Sequence, residues 1–60
     1  ILVSGLTGVG ELLILDLSGK IVQQVPFQTE QVRIPLQQLQ NGVYFIAEPG
    51  LGIYKKVLKN

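Results

Sequence analysis

The sequence predicts a small all-β domain, and three observations carry that prediction. Short runs rich in Val, Ile, Leu, Tyr and Phe are broken at close intervals by Gly, Pro and Asn. No stretch repeats apolar residues every three or four positions over three helical turns. Several runs either alternate apolar with polar residues or are apolar on both faces, the two patterns of paired strands. Sixty residues suffice for one domain, because a chain of that length buries only about 60 % of the surface it exposes when unfolded. Offsetting the loss of chain entropy then demands an apolar composition. The 47 % apolar and 15 % charged content meets that demand and separates the chain from disordered tails.

Six strands follow from the pattern: 1–4, 11–17, 20–25, 31–36, 43–48 and 53–59. The first connection, Gly5-Leu6-Thr7-Gly8-Val9-Gly10, holds three glycines and reads as a turn between antiparallel neighbours. A phosphate cradle would need a helix after the glycines, whereas a strand is predicted there. Leu12-Leu13-Ile14-Leu15 is apolar on both faces, as in a central strand covered on both sides. Asp16-Leu17-Ser18-Gly19 then makes a tight turn in which the Asp side chain accepts from backbone amides two or three residues on and Gly19 takes positive φ. Lys20-Ile21-Val22 begins the returning strand.

In 31–36 the alternation places Val32, Ile34 and Leu36 on the core face and Gln31, Arg33 and Pro35 opposite. Pro35 offers no ladder donor, so the strand ends or lies at an edge there. Leu36-Gln37-Gln38-Leu39 spaces two leucines by three, suiting one helical turn that tucks both under the sheet. Asn41-Gly42 reverses the chain. Val43-Tyr44-Phe45-Ile46-Ala47 is apolar on both faces and is expected to pair with 12–15 in the interior. In Glu48-Pro49-Gly50-Leu51, Pro is expected to fix the second turn position and Gly50 to supply positive φ at the third. The final strand carries Lys55 and Lys59 on one face and Lys56 on the other, the usual protection of an exposed edge; its inward face is not set by the pattern.

Composition narrows the functional classes. The chain has no His and no Cys, and its carboxylates, Glu11, Asp16, Glu30 and Glu48, are scattered, so it offers no positioned nucleophile, base or metal set. No catalysis and no cofactor are expected. Without cysteine the redox compartment is not readable. A net charge of +1 from five basic residues is too little for a phosphate-tracking face, which excludes nucleic acid. The longest apolar runs are far shorter than the ~20 residues of a spanning helix. The chain starts at Ile1, inside an apolar run, and reads as a fragment without a signal peptide of its own.

Three segments, in order, carry a resemblance: Asp16-Leu17-Ser18-Gly19-Lys20, Leu39-Gln40-Asn41-Gly42-Val43-Tyr44-Phe45, and Tyr54-Lys55-Lys56-Val57-Leu58. Together they resemble the type A C-terminal sorting domain of type IX secretion cargo, with its D-x-x-G-K/R hairpin, L-x-x-G-x-Y segment and closing K-K strand. The likeness covers practically the whole chain, so residues 1–60 are expected to be a single sorting domain. It lacks only the Pro-Asn-Pro segment that usually precedes the first strand. The resemblance implies an immunoglobulin-like sandwich. It also implies a route: cargo passes through the periplasm, the outer-membrane translocon and its shuttle recognise the folded domain, and a sortase-like protease acts at the cell surface. The product is secreted or surface-bound.

Carried over by position, Asp16, Gly19 and Lys20 match the hairpin, Gly42 and Tyr44 the middle motif, and Lys55 and Lys56 the closing strand. Asp16, Gly19, Asn41 and Gly42 are read as turn residues. Tyr44 is read first as a core aromatic with its hydroxyl at the surface, and second as a partner contact. Lys20, Lys55 and Lys56 are candidate contacts for an acidic receptor groove, with edge protection as the competing reading for the last two. The same fold would also serve as an immunoglobulin- or fibronectin-like spacer or adhesion module, which fold alone does not separate from a sorting role. Strands apolar on both sides leave a face that a minimal sandwich does not fully cover, so weak pairing of two copies is allowed.

Overall fold

The computed structural model describes all 60 residues and contains two antiparallel sheets packed as a small sandwich. The strands are β1 (Leu2–Val3), β2 (Gly10–Leu15), β3 (Ile21–Phe27), β4 (Val32–Arg33), β5 (Gly42–Glu48) and β6 (Ile53–Lys59), with a 3-10 turn at Pro49–Leu51. Four of them form one sheet in the order β3-β2-β5-β6, and β1 pairs β4 in the other. The sandwich is therefore unequal: one full sheet is capped by a two-stranded ribbon and its flanking loops.

The pairing of the two doubly apolar runs is as expected, with Leu13 opposite Ala47, Ile14 opposite Ile46 and Leu15 opposite Phe45. The inward residues of the large sheet, Leu12, Ile14, Phe27, Tyr44, Ile46 and Val57, meet Leu6 and Ile34 in one core. Val32 and Leu36 pack against that core and Ile34 is fully buried within it, while Gln31, Arg33 and Pro35 face outward. The face assigned to 31–36 from its alternation is the observed one. The inward face of β6, which the pattern left open, is set by register: Tyr44 stands opposite Val57, and Glu48 opposite Ile53.

Four expectations are corrected. The runs 1–4 and 31–36 form ladders only over Leu2–Val3 and Val32–Arg33. Past them Ile1 and Ile34 continue the register, the Ile34 amide donating to the Ile1 carbonyl at 2.7 Å and the Ile1 ammonium to the Ile34 carbonyl at 3.1 Å, and Pro35 lies beyond the paired residues. The run 20–25 pairs instead over Ile21–Phe27, through Pro26, because β3 is a sheet edge where Pro removes no needed donor. Gly50 does not take positive φ; the 3-10 turn absorbs Pro49–Leu51, and Gly52 closes it at φ 70°. Finally, the strand at 12–15 is not covered on both sides. Leu12 and Ile14 are buried, whereas Leu13 and Leu15 are only half-buried on a face with no second layer.

Gly10 also differs from its sequence reading. It opens β2 rather than completing a flexible turn, directly opposite Phe27. A Cβ there would lie 2.7 Å from Phe27 Cζ and 3.0 Å from Glu48 Oε2, so the missing side chain is what lets the Phe27 ring close this end of the core. A bulge between Ile14 and Leu15 pairs Ile14 with Gln23 but Leu15 with Ile21. The extra residue, Val22, packs against the core while Ile21 remains exposed.

Candidate recognition surface

The hairpin joining β2 to β3 is organised by one carboxylate. Asp16 Oδ1 accepts from the Ser18 amide at 2.9 Å, the Ser18 hydroxyl at 2.7 Å and the Lys20 amide at 3.0 Å. The Asp16 amide donates back to the Lys20 carbonyl at 2.9 Å, and Gly19, at φ 88°, donates to the Asp16 carbonyl at 3.0 Å. The Ser18 hydroxyl bond, followed by the Lys20 and Ser18 amides and the Lys20 charge, holds the Asp16 carboxyl below its ordinary 3.8. A depressed folded-state value means the ionised carboxylate favours the fold: its contribution is present above the unfolded value and is lost as pH falls through the folded one. Asp16→Asn keeps the turn geometry but not the charge. The gap between wild-type and variant thermal midpoints is expected to close as pH is lowered from about 6 to about 2.5; a gap constant across that range would show that the charge has no stabilising role.

The second motif lies beside the first. Asp16, Leu17 and Ser18 from the hairpin and Asn41, Gly42, Val43 and Tyr44 from the start of β5 line one shallow cleft of about 260 Å³. This is smaller than the ~300 Å³ at which ligand pockets begin, so the arrangement is a contoured surface and not a small-molecule site. Leu39 N–H donates to the Leu36 carbonyl at 3.0 Å, giving the single helical turn expected there, and both leucines pack on the core.

Tyr44 fixes the loop that follows. Its ring is buried and its hydroxyl donates to the Gln40 carbonyl at 2.7 Å, four residues upstream. Greek-key sandwiches use the same device, the tyrosine corner, to tie a strand to the loop before it. The hydroxyl is thus committed internally. Tyr44→Phe is expected to cost about 1 kcal/mol, a fall of about 4–8 °C in the thermal midpoint, and calorimetry on the two chains measures it directly.

The candidate lysines do not converge on one point. Lys20 is exposed in the hairpin, where its amide, not its ammonium, serves the turn. On β6, Lys55 stands opposite Ile46 at the rim of the core face, and Lys56 stands opposite Phe45 on the outer face. Lys59 reaches Asn41 Oδ1 at 3.4 Å, next to the cleft. The largest hollow, about 710 Å³, opens between Ile1, Arg33 to Gln37, Lys59 and Asn60 and contains no side-chain carboxylate. No three of the acidic side chains gather into a group that would hold a metal ion.

One feature escaped the sequence reading. Glu48 is buried, accepting from the Glu11 amide at 3.2 Å and the Gly50 amide at 2.6 Å, and its sole signal is a carboxylate one residue before a Pro-Gly turn. The outer face of the large sheet, which the sequence expects to be incompletely covered, is described below.

Among known proteins, the family model described as the secretion system C-terminal sorting domain matches residues 2–59. No curated protein and no solved structure matches the chain. A match that spans nearly every residue, on a two-sheet fold that brings the hairpin and the Asn41–Tyr44 segment to one end, assigns the chain to the secretion system C-terminal sorting domain family, the sorting signal of type IX secretion.

Proposed function

We propose that this domain is read as a folded surface by the type IX translocon and its shuttle, after its parent has reached the periplasm, and that it delivers the parent to the cell surface or the medium. The observation supporting this is the cleft at the hairpin end. It is built from two of the three segments that carry the family likeness, which lie some 25 residues apart in the chain and meet only on folding. A sortase-like protease then acts on the junction with the cargo, and the domain itself supplies no catalytic group.

The test is a fusion of the 60 residues behind a periplasmic reporter in a type IX-competent cell. The reporter is expected outside the cell, and in the periplasm of a translocon-deficient strain. Retention in the periplasm of the competent strain would refute the reading. Single Lys20→Gln, Lys55→Gln and Lys56→Gln variants separate the surfaces, since each side chain is exposed on a different aspect. Each is expected to leave the thermal midpoint within a few degrees. Export that falls for Lys20 alone would place recognition at the hairpin end, and a fall for Lys55 or Lys56 would place it along β6.

A further inference from the structure

The outer face of the four-stranded sheet is apolar at its centre and charged at two points of its rim. By register it presents Leu13 beside Ala47 and Tyr54, then Leu15 beside Phe45 and Lys56, then Val43 beside Leu58. Phe45 and Tyr54 stack with centroids 5.4 Å apart and planes at 17°. Tyr54 is 70 % and Leu58 66 % exposed, and Ile21, opposite Leu15, is 44 % exposed. No other layer of the domain lies over these residues. An apolar centre with a charged rim is the anatomy of an interface.

Charge decides the occupant. The face carries two ionisable side chains of opposite sign, Glu11 on β2 and Lys56 on β6, both exposed and neither in an ion pair. They are separated by two strand spacings and by four residues along the strands, about 16 Å, too far to pair within one copy. The midpoint between them falls on Ala47, the smallest side chain of the face. A two-fold axis in the plane of the face through Ala47 therefore sets each Glu11 against the partner's Lys56 while the two alanines allow close approach. The strands of the two copies then cross at about 70°, nearer the orthogonal than the aligned class of sheet packing.

We infer that two copies of this domain pair face to face through the outer surface of β2, β5 and β6, with reciprocal Glu11 to Lys56 ion pairs fixing the arrangement. Three strands about 4.8 Å apart and six residues long give roughly 300 Å² of face, well under the ~800 Å² per partner of a standard interface. The dimer is accordingly expected to be weak and reversible.

Sedimentation velocity of the 60-residue chain between about 10 µM and 1 mM tests this, with far-UV circular dichroism to verify that each variant is folded. The wild type is expected to shift from monomer to dimer over that range. Glu11→Lys and Lys56→Glu, each placing like charges together, are expected to weaken association at least tenfold, and the double variant to recover most of it. Both substitutions are at exposed side chains, and the Glu11 hydrogen bond uses only its backbone amide. A wild type that stays monomeric to 1 mM overturns the proposal and leaves the face to a different partner. Dimerisation that is indifferent to the charge reversals, or that the double variant does not restore, overturns the stated geometry. Neither outcome bears on export of the fusion, which is measured separately.

Discussion

Ile34→Ala is expected to remove most of the stability of this domain. Ile34 is fully buried and is the side chain of the small layer that closes the core against Ile14, Tyr44 and Ile46. Its backbone also makes both bonds to Ile1 that continue the two-residue ladder of β1 and β4. Truncating a buried Ile to Ala costs about 2–5 kcal/mol, including the cavity left behind, whereas sixty residues commonly give a total of about 3–9 kcal/mol. The thermal midpoint is expected to fall by at least 10 °C, at about 4–8 °C per kcal/mol for a domain of this size. Denaturant unfolding monitored by circular dichroism measures it. A loss under 1 kcal/mol would mean that the β1 and β4 ribbon is not an integral layer of the fold.

The second large effect is expected at Glu48. The β2 and β5 ladder runs only from Leu15 to Leu13, so beyond it the Glu11 amide has no strand partner, and the Glu48 carboxylate supplies one while also capping the 3-10 turn through the Gly50 amide. Glu48→Ala leaves two partly buried donors unmet and is expected to cost about 1–3 kcal/mol. Glu48→Gln retains one oxygen acceptor but turns its NH2 toward the other amide N–H, since the two bonds use different carboxylate oxygens, and is expected to lose at least half as much. Because a Cβ on Gly10 would press on both Phe27 and this carboxylate, Gly10→Ala is also destabilising. In combination with Glu48→Ala its cost is expected to shrink, and a double-mutant cycle reads the coupling. Strictly additive costs would show that the carboxylate and Gly10 do not share the space the structure gives them.

These two sites differ in how far the sequence discloses them. Ile34 was assigned inward from the alternation of 31–36 alone, since the strand period of two fixes faces wherever one side is buried. Glu48 is legible as the end of the 43–48 strand and the first residue of a turn but not as a buried acceptor, because its partner Glu11 is 37 positions away and nothing local marks the gap it fills. The hairpin at Asp16 is legible as an Asp-organised turn, with one difference: the side chain accepts from amides two and four residues on, and the amide three on donates to the Asp16 carbonyl instead. Tyr44 was legible as a buried aromatic, but not the Gln40 carbonyl that its hydroxyl binds.

The sequence by itself determined the all-β class, the central pair of strands, the hairpin turn closed by Gly19, and the ordered segments of a secretion sorting domain. Each is written in residues a few positions apart, where period, turn chemistry and φ preference act. The tertiary structure alone decided which glycine is a contact and which a turn, where the small ribbon stops pairing, and how the hairpin meets the start of β5. It also placed Glu11 and Lys56 at the rim of the face of the large sheet that stays open. Those outcomes depend on register between distant strands and on the volume left for a second layer, and sixty residues are too few to cover both faces of a four-stranded sheet.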